Sequence, residues 1–342
     1  MKMKNLNTYI LAIESSCDDT GAAVLLNNKV ISNIVARQEI HEQYGGVIPE
    51  LASRAHQQNI VPTIDVALKK ANITKEQLSA IAFTQGPGLM GSLLVGSSFA
   101  KSLSMALDIP LIAVNHMHAH ILAHFIDEAE FDKPTFPFLA LTISGGHTQI
   151  VKVNSFFDLE ILGETTDDAV GEAFDKTAKI LGFPYPGGPL IDKFAKEGNQ
   201  KAYAFTKPKV SGLNFSFSGL KTQILYFIQK NVAMNPNFIE ENKADICASV
   251  QYTIINILMD KLKMAVSETG INQIAIGGGV SANSGIRQTL KDAEKKYGWK
   301  TYIPKFEYTT DNAAMIGIVG YHKYLENHFS DSSTVSKARI EF

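Results

Sequence analysis

Short apolar runs alternate with polar turns and with longer segments of helical periodicity along the chain. Roughly four to eight apolar residues between turn residues predict a strand, whereas apolar positions three and four apart predict a helix. The first half is predicted to contain a hairpin with strands at 9–13 and 22–26, a helix at 51–70, a strand at 81–83, a helix at 93–107 and a strand at 111–114. This alternation of strands and helices indicates an α/β protein.

The same order of elements returns after a proline-containing linker at 132–137. The second half is predicted to contain a hairpin with strands at 138–143 and 148–153, a strand at 273–276, a helix at 284–297, a strand at 300–303 and a helix at 313–324. We interpret this as an internal repeat of elements rather than of letters. It predicts two α/β lobes with a ligand cleft between them, formed by loops that leave the strand ends.

Composition narrows the class of protein. The chain has 342 residues, 45% of them apolar and 19% charged, which is typical of a globular protein with a sizeable core. Its net charge of −2 gives no global attraction to nucleic acid. Two cysteines, Cys17 and Cys247, exclude a disulfide framework and a cysteine-rich zinc site. No apolar run reaches the ~18 residues of a membrane span, so we expect a cytoplasmic protein without a membrane partner.

A histidine pair follows the predicted strand at 111–114. His116 and His120 are four positions apart, so on a helix they share one face and are able to bind a single metal ion. We expect both imidazoles to face a solvent-accessible cleft. The alternative is that they are ordinary polar residues of a helix.

The repeat suggests a third ligand. Asp311 follows the last strand of the second half, as His116 follows that of the first. A carboxylate there completes a site with positions open to substrate, and it would bridge the two lobes. The alternative role for Asp311 is to cap the helix that follows.

Glycine-rich turns are candidate anion sites. Residues 144–146 and 277–279 allow backbone N–H groups to approach a phosphate closely, but a plain hairpin turn and a loop leading to a helix are equally consistent. Asn283 is positioned to bind a base or ribose, or to cap the helix at 284–297. The segment 171–179 is predicted to be a helix, on which Asp175 and Lys179 have the spacing of a surface ion pair.

Positive charge is concentrated in one part of the chain. Nine lysines and three acidic residues lie between Asp175 and Lys230, interleaved with aromatic residues such as Tyr203, Phe215 and Phe217. Lysines neutralise phosphates and rings stack on bases, so this segment is a candidate RNA-binding surface. The alternative is a solvated basic face over a partly buried aromatic cluster.

Several motifs together resemble one family. They are residues 13–20 (IESSCDDT), 84–89 (TQGPGL), 115–120 (NHMHAH), 144–148 (SGGHT), 174–179 (FDKTAK), 277–283 (GGGVSAN) and 310–314 (TDNAA). In this order they resemble the TsaD family of tRNA threonylcarbamoyltransferases over nearly the whole chain. That family belongs to the actin, sugar-kinase and heat-shock-protein ATPase superfamily. The resemblance implies a duplicated actin-like fold with lobes at 1–113, joined by the helix 313–327, and at 114–312. Separately, the polar composition after Asn327 predicts a loosely held tail at 328–342.

The resemblance also implies site residues. It assigns one divalent metal ion, Fe²⁺ in preference to Zn²⁺ or Mg²⁺, to His116, His120 and Asp311. It assigns the substrate threonylcarbamoyl-AMP to Thr142, Ile143, Ser144, Gly145, Gly146, Asp175, Gly188, Asp192 and Asn283.

The activity implied is transfer of the threonylcarbamoyl group from threonylcarbamoyl-AMP to the exocyclic amine of the adenosine 3′ of the anticodon, in tRNAs that read codons starting with A. The implied partners are the degenerate paralogue TsaB and the ATPase TsaE. A metallopeptidase is disfavoured because no glutamate lies between His116 and His120. The alternative is a nucleotide-hydrolysing or metal-binding scaffold subunit of a tRNA-modification complex.

Overall fold

A computed structural model describes residues 7–340 of the chain. Two compact units are present: unit 1 comprises Met1–Lys133 and Lys305–Phe342, and unit 2 comprises Pro134–Pro304. The described strands are β1 (Tyr9–Glu14), β2 (Thr20–Leu26), β3 (Lys29–Ala36), β4 (Ala80–Gly86), β5 (Leu111–Asn115), β6 (Phe138–Ile143), β7 (Thr148–Val153), β8 (Leu159–Glu164), β9 (Gln273–Gly277) and β10 (Lys300–Tyr302).

The helices carry most of the remaining chain. They are α1 (Pro49–Ala71), α2 (Met90–Leu107), α3 (His116–Leu122), α4 (Val170–Ile180), α5 (Gly188–Ala195), α6 (Ser218–Met234), α7 (Phe238–Thr269), α8 (Ser284–Tyr297) and α9 (Ala313–Leu325). Within residues 7–340, no helix combines the length and apolar character that crossing a membrane requires.

Unit 1 is built on a five-stranded sheet in the order β3-β2-β1-β4-β5. The pairs β3–β2 and β2–β1 are antiparallel, and β1–β4 and β4–β5 are parallel. The central strand β1 is apolar on both faces: Leu11 and Ile13 pack with α1 and α2, and Ala12 lies against Gly317 of α9. Helices therefore cover both faces of the sheet, which explains why β1 and β4 are continuous apolar runs.

Unit 2 repeats this plan, with the order β10-β9-β6-β7-β8. The hairpin β6–β7 and the pair β7–β8 are antiparallel, and β6–β9 and β9–β10 are parallel. Counted from the opposite edge of the sheet, the order is β8-β7-β6-β9-β10, and these strands correspond one by one to β3-β2-β1-β4-β5 of unit 1. The predicted repeat and the α/β class with a duplicated actin-like topology are confirmed.

Two strands and three helices are absent from the sequence predictions. Strands β3 and β8 are the outer members of the antiparallel side of each sheet, and their side chains are mostly half-buried or exposed. Such strands lack a continuous apolar run. The three helices are α5, α6 and α7. Unit 2 has four helices, α4 to α7, between β8 and β9, whereas unit 1 has the single α-helix α1 between β3 and β4.

The units differ from the predicted lobes at both boundaries. The predicted second lobe, 114–312, includes α3 and Asp311. The structure instead places α3 and Asp311 in unit 1. The physical reason is α9, which packs against β1, β2, β4 and β5 and so returns the chain to the first sheet. Residues 305–312 return with it.

The tail differs from its prediction as well. Far from being loosely held, it is attached to unit 1 by regular contacts up to the end of the described chain. Ser330 N donates to Leu111 O at 2.8 Å, and Lys337 N donates to Gln85 O at 2.9 Å. Backbone hydrogen bonds of this kind need no apolar pattern in the sequence, so the polar composition of the tail did not reveal them.

Candidate functional site

Helix α3, which carries His116 and His120, begins where β5 ends. The Asn115 side chain caps α3 by accepting hydrogen bonds from Met117 N at 2.8 Å and from His118 N at 3.3 Å. The cap starts the helix at His116, and the spacing of four then places His116 and His120 on one face. Their ring centroids lie 4.7 Å apart in an edge-to-face arrangement.

Asp311 faces both rings. Its Oδ1 lies 3.4 Å from His116 Nε2 and 3.3 Å from His120 Nε2. Helix α9 is capped by the neighbouring residue, since Asn312 Oδ1 accepts from Met315 N at 3.1 Å. The alternative role of Asp311 as the helix cap is therefore wrong.

These three residues, called the metal triad below, have the arrangement of a cation site. Their ligand atoms all lie within 4.8 Å of one another. Two donors bound to one ion at ~2.1 Å are separated by roughly 3.0–3.5 Å, which matches both distances to Asp311. Two histidines and one carboxylate leave coordination positions open and suit Fe²⁺ or Zn²⁺ better than Mg²⁺, which prefers oxygen ligands.

Two expectations about this site are wrong. His116 and His120 are 8% and 1% exposed, so neither imidazole faces open solvent; the accessible side is that of Asp311, whose side chain is 30% exposed. The metal triad lies wholly within unit 1, so the ion would not bridge two lobes. The repeat correctly identified Asp311 as the third member, but α9 brings that residue back to the first sheet.

Charge within the triad is balanced by its neighbours. Burial opposes protonation of His116, yet Glu14 and Asp311 outweigh it and raise its pKa well above the usual value. Burial lowers the pKa of His120, and His120 Nδ1 has no hydrogen-bond partner among the described residues. Burial works against ionisation of Asp311, but the charge of His116 holds its pKa below the usual value. A divalent cation would replace the proton on His116 Nε2, the nitrogen that faces Asp311.

Glu14 is the member of this environment that the sequence reasoning missed. Its side chain is 1% exposed and lies 3.0 Å from His116 Nδ1. The available signal was a glutamate directly after the apolar run 9–13, because a buried carboxylate at a strand end requires partners.

In unit 2, the turn between β6 and β7 presents backbone amides. Ser144 closes the turn: its N donates to His147 O at 2.9 Å, and its Oγ accepts from His147 N at 3.0 Å. Gly145 and Gly146 are exposed, and their amides have no partner among residues 7–340. A Cβ at either glycine would meet nothing within 4 Å, so the turn is open to a ligand.

Asp175 organises a second set of amides. Its Oδ1 accepts from Gly187 N at 2.9 Å and from Gly188 N at 3.0 Å, at the start of α5. Burial raises the pKa of Asp175, although these two amides oppose the shift. The predicted surface pair with Lys179 is not among the ion pairs of the described chain. The Oδ2 atom of Asp175 receives no hydrogen bond within residues 7–340 and is available to a hydroxyl group of a ligand.

Asp192 and Asn283 have structural partners already. Both Asp192 oxygens accept from Ser284, at 2.8 Å from its Oγ and 3.2 Å from its N. Asn283 Oδ1 caps α8 by accepting from Ile286 N at 3.0 Å, and its Nδ2 donates to Gln251 Oε1 at 2.7 Å. Of the two readings of Asn283, helix capping is confirmed.

The sheet explains why these residues share one end of unit 2. Strands β6 and β9 are parallel, so the turn after β6 and the glycine loop after β9 leave the same edge. The close approach of this loop to β6 requires glycine, because Gly278 has φ +90° and a Cβ there would press on Ile143 O at 2.5 Å. Thr142 and Ile143 themselves are fully buried in β6.

The basic segment 175–230 is less available than its composition suggests. Phe215 and Phe217 are fully buried, which excludes them from stacking on bases. Lys207 is paired with Asp260, and Lys176 with Asp168 and Glu172. The structure favours the reading as a basic face over a buried aromatic cluster. Lys209 is exposed and has no ion-pair partner among the described residues.

Comparison with known proteins gives a consistent result. The family model of TsaD, tRNA N6-adenosine threonylcarbamoyltransferase, matches residues 29–318. A tRNA N6-adenosine threonylcarbamoyltransferase of Christiangramia forsetii is 72% identical over 99% of this chain and 100% of its own. That of Riemerella anatipestifer is 60% identical over 98% of both chains.

Solved structures match more distantly. A full-length HypF in a phosphate- and nucleotide-bound form is 14% identical, with a TM-score of 0.62, over 96% of this chain and 57% of its own. Component A of the (R)-2-hydroxyglutaryl-CoA dehydratase of Acidaminococcus fermentans is 16% identical, with a TM-score of 0.52, over 93% of this chain and 99% of its own. These likenesses show the fold alone.

Proposed function

Because the chain belongs to the TsaD family of tRNA N6-adenosine threonylcarbamoyltransferases, it is a transferase that modifies adenosine in tRNA, and we propose that threonylcarbamoyl-AMP is its donor substrate. The acceptor is the exocyclic amine of the adenosine 3′ of the anticodon in tRNAs that read codons starting with A. The lone pair of that amine is delocalised into the ring, so the amine is a poor nucleophile. An activated carbonyl, as in a mixed anhydride with AMP, compensates for this.

The observation that carries the proposal is the metal triad. His116, His120 and Asp311 would hold one divalent ion, Fe²⁺ in preference to Zn²⁺ or Mg²⁺. Such an ion would supply Lewis-acid chemistry beside Asp311, whose side chain is 30% exposed. The chain's own part is to hold the two imidazoles and the carboxylate in a fixed arrangement, through the Asn115 and Asn312 caps.

The adenylate would bind the strand ends of unit 2. The free amides of Gly145 and Gly146 suit a phosphate, and Asp175 Oδ2 suits a ribose hydroxyl. Gly188 supports this by holding Asp175, and Ser144 by closing the turn. Thr142, Ile143, Asp192 and Asn283 would shape the site through the backbone and helices rather than by new side-chain bonds. Fixed donors of this kind stabilise charge that develops on the departing phosphate.

Partners are part of the proposal. We expect work with the degenerate paralogue TsaB and the ATPase TsaE, in the cytoplasm. The packed helices α1 and α2 of unit 1 expose apolar side chains: Val61 is 59%, Leu94 50% and Met105 72% exposed. Such a patch suits a protein partner of similar apolar character.

One assay tests the function. Radiolabelled threonine is supplied with unmodified tRNA, the adenylate-forming enzyme and the partner proteins, with and without this chain. We expect label in tRNA only when the chain is present. Equal labelling without it, or nucleotide hydrolysis with no transfer, would instead support a nucleotide-hydrolysing or scaffold subunit.

A further inference from the structure

Glu14 is a buried carboxylate at the end of the central strand β1, with three partners. Its Oε1 accepts a hydrogen bond from Ser16 N, and its Oε2 accepts one from Thr84 Oγ1 at 2.7 Å. The same Oε2 lies 3.0 Å from His116 Nδ1, and Ser16 Oγ lies 3.3 Å from that nitrogen. The position follows from the sheet, since β1 and β4 are parallel neighbours and Glu14 and Thr84 occupy adjacent strand ends.

This contact determines which nitrogen of His116 is free. A carboxylate that already accepts from a hydroxyl and an amide presents only lone pairs, so His116 Nδ1 carries its proton towards Glu14. The lone pair of the neutral ring is then on Nε2, the nitrogen that faces Asp311 Oδ1 at 3.4 Å. A metal ligand must present a lone pair, and an outer hydrogen bond to the other nitrogen selects it.

The second imidazole lacks this support. His120 Nδ1 is buried without a hydrogen-bond partner among residues 7–340. The environment of the two rings is therefore unequal, although both belong to the metal triad. Glu14 itself is outside the group of residues whose ligand atoms meet within 4.8 Å.

We propose that Glu14 is the positioning residue of the metal centre, fixing His116 in the tautomer and orientation that present Nε2 to the cation. The inference rests on the proposed metal site and adds a residue that does not bind the ion. Glu14, at the end of β1, thereby determines the geometry of a single ligand nitrogen on α3.

A purely structural role for Glu14 is the competing explanation, and Glu14→Gln separates the two. Ser16 N donates to Oε1, so the amide oxygen of the glutamine takes that place and its NH₂ group takes the place of Oε2. The NH₂ group still bonds to Thr84 Oγ1, whose own proton is able to move to Ile13 O, 3.4 Å away. Towards His116 Nδ1, however, the NH₂ group donates. It therefore favours the proton on Nε2, where it blocks the metal.

The test is zinc affinity of the full chain, measured by competition with a chelating dye. We expect Glu14→Gln to bind zinc about 10- to 100-fold more weakly than wild type. Thr84→Val is the matched control, because it removes one hydrogen bond to Glu14 but leaves both groups beside His116 Nδ1, Glu14 Oε2 and Ser16 Oγ, unchanged. It should retain zinc affinity within about threefold, even where its melting temperature falls.

The outcomes are distinguishable. Unchanged zinc affinity in a folded Glu14→Gln variant would overturn the role of Glu14 and leave the metal site intact. Failure of the wild type to bind zinc would overturn the proposed metal site as well. Should Glu14→Gln not fold, nitrogen-15 spectra of the zinc-loaded wild type with labelled histidine decide: we expect His116 to carry a proton on Nδ1, and zinc on Nδ1 would contradict the proposal.

Discussion

The hairpin turn of unit 1 is buried or half-buried throughout, whereas the equivalent turn of unit 2 has two exposed glycines at its centre. In unit 1, Ser15 and Ser16 are 1% and 3% exposed, and Ser16 O accepts a hydrogen bond from Leu89 N at 2.7 Å. In unit 2, Gly145 and Gly146 are exposed, with open space where a Cβ would lie. Both turns leave the same position in the same order of strands.

The two turns therefore suit ligands of opposite charge, although they occupy the same place in the strand order. Unit 1 fills its strand ends with side chains, and the buried carboxylate and imidazole groups favour a cation. In unit 2, the turn after β6 contains glycines, which have no side chains, and the exposed N–H groups of Gly145 and Gly146 favour an anion. The repeat therefore predicts where ligands bind, and the side chains at those positions decide which ligand.

The largest expected effect follows from removing a metal-ligand side chain of unit 1. His120→Leu removes a ligand, and we expect loss of bound metal and a fall in transfer activity of more than ~100-fold. Because His120 Nδ1 is buried without a described partner, leucine should leave the melting temperature of the metal-free chain unchanged or raise it. Metal content and thermal melting of the variant check this. A large loss of stability without metal would show a structural histidine instead.

The next effect follows from filling the open turn of unit 2. We expect Gly145→Val to weaken adenylate binding by about 10- to 100-fold, the scale of hydrogen bonds to a charged group, while the chain still folds. Calorimetry with a non-hydrolysable adenylate analogue measures it. Gly219→Val is the control, since its Cβ would meet only Pro208, at 3.7 Å, outside the turn. Equal affinities of the two variants would remove the turn from the site.

A smaller effect should distinguish the surfaces of the two units. Met105→Asp, on α2 of unit 1, should weaken binding to the paralogue by about 10-fold or more, because a charge replaces an exposed apolar contact. Met234→Asp, on α6 of unit 2, is the matched control with 68% exposure. Sedimentation of each variant with the paralogue gives the comparison. If only the control disturbs the complex, the partner binds unit 2.

The smallest effect concerns tRNA. Lys209→Glu should weaken tRNA binding and lower the slope of log affinity against log salt by about one, as expected for loss of a phosphate contact. Lys207→Glu should have less effect, because Lys207 is already paired with Asp260. Filter binding at several salt concentrations tests both. Two variants with the affinity and salt slope of the wild type would identify the segment as a solvated face.

The sequence predicted those parts of the molecule that depend on local pattern. The apolar runs placed β1, β2, β4–β7, β9 and β10, and the spacing of four placed His116 and His120 on one face. The repeat pointed to Asp311, which lies beside both imidazoles. These predictions required only the period of side chains and the order of elements.

The remaining features depend on contacts between distant segments. Asp311 belongs to unit 1 because α9 packs on the first sheet, which no local pattern reveals. Glu14 meets His116 across 102 positions of sequence. Asn283 and Asp192 are predicted to bind substrate, and in the structure their oxygens also accept hydrogen bonds from backbone and hydroxyl donors at the start of α8. Spacing alone does not distinguish a ligand from a cap.

The most direct test of the metal triad is the metal content of Asp311→Ala. The variant is purified alongside wild type and Asp331→Ala, which changes an exposed carboxylate of the tail, and iron and zinc are measured per chain. We predict that Asp311→Ala loses the metal that wild type and Asp331→Ala retain, while all three remain folded. A full metal complement in folded Asp311→Ala would contradict a site built from α3 and the segment before α9.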